Sequence, residues 1–165
     1  TWGTMVGLCE TSGRLVYSWG VISTGEIFSS ENPKKIRLKS WKEIRKNGGQ
    51  PTIDVYDYKK EGGALDKFPE GFKTTSYPAA FWAAWELFNG RLDGLVWLPS
   101  DEGKKNYPDY DLVFLEVLKR QGWKILLGKM IVIAPTSEDA QELWNIGIKL
   151  IGDKQYDNVS NLTIS

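Results

Sequence analysis

Two sets of side chains in this sequence could do chemistry, and they carry opposite charge. The first is the stretch KKIRLKSWKEIRK, residues 34–46. There Lys34, Lys35, Arg37, Lys39, Lys42, Arg45 and Lys46 set seven positive charges against the single Glu43. Lys binds phosphate oxygens as a point charge and Arg as a planar fork, and such contacts hold a nucleic-acid backbone without reading its bases. Surfaces built only for solubility intersperse the two signs. The segment therefore points to a polyanion, RNA or DNA first. The competing role is plainer: the charges are the wet side of a strand and a short helix whose Ile36, Leu38, Trp41 and Ile44 turn inward.

The second set is acidic: Asp54, Asp57, Asp109, Asp111 and Glu116, with Lys119 close by in sequence. Carboxylates of this kind could hold Mg²⁺ and position a water, which makes a metal-dependent nuclease or other phosphoryl-transfer enzyme the alternative function. The stretch PDYDLVFLEVLK (108–119) resembles in part the nuclease pattern of an acid followed by acid-x-Lys. Its Glu116 and Lys119 stand three apart, however, and on a strand that spacing points them to opposite faces. The hairpin-like start is similar in outline to RNase H-like folds, which would imply Glu10 with Asp54 or Asp57 as metal ligands. No cofactor is expected beyond Mg²⁺, and that only if the nuclease alternative holds.

Composition removes several other chemistries. The chain has 165 residues, one cysteine and no histidine, so a Ser-His-Asp or Cys-His triad lacks its base and a Cys/His zinc site lacks its ligands. Neither a phosphate-binding P-loop nor a dinucleotide-binding glycine motif occurs. Acidic and basic residues balance at 21 each, so nucleic-acid affinity must come from a local patch. A lone cysteine, Cys9, reads as a small buried hydrophobe. With no signal-like start and no apolar run of about 18 residues, an intracellular, cytoplasmic protein without a membrane segment is expected.

Eight Trp and seven Tyr keep a third function class open, a non-catalytic interaction or assembly module with a protein partner or a second copy of itself. Trp19, Trp41, Trp85, Trp97 and Trp144 fall on apolar stripes and are expected in the core. Trp2, Trp82, Trp123, Tyr107 and Tyr110 are expected to be freer.

These residues need a scaffold, and the periodicities predict one domain over 1–152 with a frayed tail at 153–165. The class is α/β or α+β, with a mixed, mostly antiparallel sheet, an N-terminal β-hairpin or meander, and about three helices at 40–47, 76–89 and 137–151. TMVGLCE (4–10) and RLVYSWGVIS (14–23) flank a glycine turn, and EIFSS with KKIRLK would extend the meander. Ser40 with Glu43 is a capping box, and Gly48-Gly49 a stop. In PTIDVYDYK (51–59), Ile53 and Val55 alternate with Asp54 and Tyr56. Ser76 is expected to cap the second helix. Residues 111–119 and 123–135 are predicted as strands, and Thr136 or Ser137 opens the last helix, with a stripe of Ala140, Leu143, Trp144, Gly147, Ile148 and Ile151. The polar segments 62–71 and 101–110 read as loops suited to recognition.

Overall fold

The computed structural model describes residues 4–11, 14–21, 26–29, 36–56, 63–77, 80–99, 115, 118–119, 121–152 and 162–163. The N-terminal hairpin and meander take the predicted form: β1 (Thr4–Thr11), β2 (Arg14–Val21) and β3 (Glu26–Ser29) pair antiparallel in that order. Cys9 pairs with Val16 across β1 and β2.

The main sheet is mixed and six-stranded, in the order β5-β4-β6-β8-β7-β9. Its strands are β4 (Thr52–Tyr56), β5 (Lys73–Thr75), β6 (Gly94–Trp97), β7 (Lys124–Leu127), β8 (Ile131–Ala134) and β9 (Leu162–Thr163). The β5, β4 and β6 strands run parallel, and the remaining pairings are antiparallel. Three helices accompany it: α1 (Trp41–Lys46), α2 (Ala80–Phe88) and α3 (Ser137–Ile151).

Period-two alternation divides the sheet into two cores. Leu95 and Trp97 of β6 with Ile131 and Ile133 of β8 pack toward α2, against Ala84, Leu87 and Phe88. Val96, Val132 and Ala134 point the other way, toward Trp41 of α1 and Ala140, Leu143 and Trp144 of α3. A sheet covered on both faces explains why β4 reads as alternating yet is buried at Ile53, Asp54 and Val55 alike. It also explains α2, whose residues from Ala83 to Phe88 are all buried. Gly94 is required where the layers meet. A Cβ there would stand 3.1 Å from the Ile133 carbonyl oxygen and 3.2 Å from the Trp41 ring.

Four expectations need correction. Residues 36–39 of KKIRLK lie outside every strand, although Ile36 and Leu38 still pack against the α2-side core. Leu115, Leu118 and Lys119 are helical rather than extended; Leu115 and Leu118, three apart, both reach the core. The segment 123–135 is a β7–β8 hairpin instead of one strand, turning at Gly128, whose amide donates to the Met130 carbonyl at 3.0 Å. Finally, α2 is described from Ala80, and Tyr77 lies outside it, so Ser76 does not stand directly before the helix. Within the stretch expected to fray, Leu162–Thr163 adds the edge strand β9 to β7. No helix among the described residues is long and apolar enough to cross a membrane.

Candidate functional site

The basic stretch is held in place from within. The Ser40 hydroxyl accepts from the Glu43 amide at 3.2 Å and opens α1. At the other end the Gly49 and Gly48 amides donate to the Ile44 and Arg45 carbonyls at 3.0 Å, with Gly48 at a φ of 76° that favours glycine. Between these stops Trp41 is 0% exposed. Its amide donates to the Asp139 carboxylate at 3.2 Å and its indole N–H to the Asp93 carbonyl at 2.9 Å. Trp41 thus fastens α1 both to the start of α3 and to the entry of β6. Every described cation of the stretch, Arg37, Lys39, Lys42, Arg45 and Lys46, reaches solvent. Lys34 and Lys35 lie outside the described residues.

The arginines and the lysines then part company. Arg45 forms a two-pronged pair with Glu142 at 2.8 and 3.3 Å, and its guanidinium lies 5.0 Å from the Phe72 ring centre. Its pKa is raised, first by that bond to Glu142. Arg37 pairs with Glu43 at 3.1 Å while staying 78% exposed. Lys39, Lys42 and Lys46 form no ion pair among the described residues. The free charge of the segment therefore sits on its lysines.

Beside Arg37 and Lys39 a groove of about 300 Å³ opens. Segment 36–39 forms one side, and Asn89, Gly90, Leu92 and Asp93 form the other; Trp123 and Pro135 complete it. Gly90 closes α2 with a φ of 68°, and its amide and that of Arg91 return to the Leu87 and Glu86 carbonyls. This turn sets Asn89, whose Nδ2 donates to the Trp85 carbonyl at 2.9 Å. That bond fixes the amide's orientation, and Asn89 Oδ1 has no partner among the described residues. Trp123 Nε1 has none either. Asn89 is 7% exposed and Trp123 3%, which overturns the expectation of a freer Trp123 ring. Asp93 accepts the Thr52 amide at 2.9 Å. Burial pushes its carboxyl pKa up, against that bond and the charge of Lys39.

A second cluster lies on the α2 side of the parallel strands. Asp54 is 0% exposed, and its Oδ1 accepts from the Tyr77 amide at 2.9 Å. Its Oδ2 has no hydrogen bond of ordinary geometry, although the Trp97 indole is near enough to act on the carboxyl as a donor. Burial pushes this pKa up to about 7, with the Tyr77 amide and the Trp97 indole opposing. The Tyr77 hydroxyl is also raised, first by burial and then by the charges of Glu86 and Asp54; Arg91 opposes. Glu86 and Arg91 are paired at 2.7 and 3.0 Å, and the Tyr77 ring stacks on Trp82 at 5.8 Å.

Of the acidic candidates, only Asp54 can be placed; Asp57, Asp109, Asp111 and Glu116 lie outside the described residues, as do Glu10's side chain, Trp2, Tyr107 and Tyr110. Lys119 is half-buried on a helical stretch, so the strand geometry assumed for the nuclease pattern does not hold there. No group of three His, Cys, Asp or Glu that could hold a metal ion occurs among the described residues. Sequence reasoning missed Asn89, Asp93 and Glu142. Asn89 was legible only as a helix end, and Asp93 and Glu142 as ordinary surface acids. No protein-family model matches the chain, and no curated protein matches it.

Proposed function

We propose that this chain is a nucleic-acid-binding domain whose docking surface is the basic segment, in its described part Arg37 to Lys46. The observation that carries this function is the solvent access of Lys39, Lys42 and Lys46 without ion-pair partners among the described residues, on a backbone that Trp41 fastens at two points. Charges held on a fixed frame lose little freedom when phosphates arrive, and phosphate contacts supply most sequence-independent affinity. Lys34 and Lys35, outside the described residues, belong to the proposed segment by sequence alone. Arg45, clamped by Glu142, contributes mainly to the frame.

Fluorescence anisotropy of labelled single- and double-stranded oligonucleotides at two salt concentrations tests this function. Binding should weaken steeply with salt. Replacing Lys39, Lys42 and Lys46 together by Ala should reduce the salt slope on single strands by about 2, at roughly 0.7 for each phosphate that is no longer neutralised. The melting temperature should move by no more than a degree or two, because exposed side chains away from the core contribute little. Undiminished binding by the triple variant would remove the proposal.

Asp54 favours a second function, that of an acid–base or metal-dependent phosphoryl-transfer enzyme. A sealed carboxyl on a parallel strand, with Tyr77 and the Glu86–Arg91 pair acting nearby, is a grouping that proton-transfer sites use. Cleavage of the same oligonucleotides that requires Mg²⁺ and is lost in Asp54→Asn would put the enzyme ahead. The interaction-module class has less support. Leu65 is the one exposed large hydrophobic among the described residues, where an apolar docking face needs a contiguous patch.

A further inference from the structure

The groove beside Arg37 and Lys39 carries more than positive charge. Two of its lining residues, Asn89 and Trp123, each carry a sealed polar atom, the acceptor Oδ1 and the donor Nε1, without a partner among the described residues. An unpaired buried polar group costs about 1–3 kcal/mol, a cost that a ligand supplying one donor and one acceptor to this wall would offset. Asn89 cannot turn its donor outward without breaking the bond from Nδ2 to the Trp85 carbonyl. Asp93 adds a carboxylate to the same lining, one oxygen of which is engaged by the Thr52 amide.

This combination selects among anions. A bare phosphate chain is rich in acceptors; it would satisfy Arg37 and Lys39 but would leave Asn89 Oδ1 unpaired and meet repulsion from Asp93. A nucleobase edge offers N–H donors and ring or carbonyl acceptors side by side. The volume, about 300 Å³, is at the small end of ligand pockets and suits one nucleotide unit rather than a duplex.

We infer that this groove receives one unpaired base of a single-stranded nucleic acid, with Asn89 and Asp93 accepting from its amino group, Trp123 donating to its ring, and Lys39 and Arg37 meeting the adjoining phosphate. The inference rests on the nucleic-acid reading of the basic segment and adds a base pocket to it. Adenine, cytosine and guanine carry the exocyclic amine that Asn89 and Asp93 require; thymine and uracil do not. Asn89 Oδ1 and Trp123 Nε1 are sealed from water in the free protein. Base entry must therefore part the wall between segment 36–39 and the turn that carries Asn89 and Asp93.

The test compares oligo(dC), oligo(dA), oligo(dT) and an abasic deoxyribose-phosphate oligomer of equal length, on the full chain. Anisotropy gives affinity, and the indole N–H resonances give the site, with the Trp123 signal assigned by its absence in Trp123→Phe. Oligo(dC) and oligo(dA) should bind about tenfold more tightly than oligo(dT) or the abasic oligomer, and should shift the Trp123 indole resonance. Trp123→Phe should erase most of that preference while keeping the salt dependence. Salt-sensitive binding that is equal for all four probes, with an unmoved Trp123 resonance, would overturn the base pocket and leave the basic surface standing. No binding by any probe would overturn both. Should Trp123→Phe fail to fold, the base preference and the response of the wild-type indole envelope, set against the abasic oligomer, still decide.

Discussion

The basic segment and the Asp54 cluster show two ways in which one fold handles charge. At residues 37–46 the charges stand in water on a frame whose apolar members, Trp41 above all, are buried. Water carries most of the cost there, so an arginine can be paired with a carboxylate or a lysine left without one at little consequence to the fold. At Asp54 water is excluded and the cost falls on the carboxyl itself, which responds by holding its proton to about pH 7. Exposed charge is thus available to a partner at little cost to the fold. Sealed charge couples the fold to pH.

The frame of the first region is the largest single dependence. Trp41 fills the α3-side core, meets Phe72 edge-on at 5.2 Å, and anchors to Asp93 through its indole. Trp41→Ala should destabilise the protein by about 3–5 kcal/mol in urea denaturation, as large-to-small core changes of this size do. It should weaken oligonucleotide binding as well, because the lysines lose their fixed spacing. A loss under about 1 kcal/mol would show that α1 is held by something other than its tryptophan.

Asp54 breaks the comparison from the other side. Its folded pKa, about 7, lies above the ordinary carboxyl range, so between about pH 4 and 7 the folded state binds more protons than the unfolded one. Stability must then fall as pH rises through that window and level off above it. A shift of this size corresponds to an effect of about 4 kcal/mol. Asp93 and Asp139 are shifted upward too, chiefly by burial, and add slope of the same sign. Asp54→Asn keeps an oxygen for the Tyr77 amide but cannot ionise. Its stability should exceed that of the wild type at pH 8 and show a shallower decline from pH 4. Superimposable profiles would mean that Asp54 ionises in the folded state as easily as in the unfolded chain.

Legibility followed the range of the interactions. The first helix was readable because everything that defines it is local: Ser40 at one end, Gly48 and Gly49 at the other, Trp41 and Ile44 on one face. The last helix was readable for the same reason, with Thr136 as cap and Ala140, Leu143, Trp144 and Gly147 buried along one stripe. The run LVFLEVL misled because an unbroken apolar run fits a buried strand or a buried helix equally, and here tertiary packing chose the helix at Leu115 and Leu118. β5 has only three residues and no apolar pattern of its own; it exists because β4 offers an edge. The basic segment was visible, but its balance was not. Glu142, which neutralises Arg45, lies 97 positions away in sequence. The groove wall was hidden for the same reason, since Asn89 and Trp123 meet segment 36–39 only through the fold.

The smallest effect separates the two arginines of the basic segment. Arg45 has a bidentate partner, an aromatic ring under its guanidinium, and a carboxylate fixed on α3. Arg37 reaches Glu43 from a side chain 78% in solvent, a geometry that side-chain entropy and salt readily undo. A double-mutant cycle on Arg45 and Glu142, each changed to Ala, should therefore return a coupling of about 0.5–1 kcal/mol, and the cycle on Arg37 and Glu43 about 0–0.3 kcal/mol. Raising salt to about 1 M should erase the second coupling before the first. Glu43→Gln should in turn tighten oligonucleotide binding about two- to threefold, since it releases Arg37 for phosphate and removes a like charge from the surface, with no change in melting temperature beyond about a degree. Weaker binding in Glu43→Gln would mean that the pair holds Arg37 in its productive position, and Arg37 would then belong with Arg45 to the frame rather than with the lysines to the docking surface.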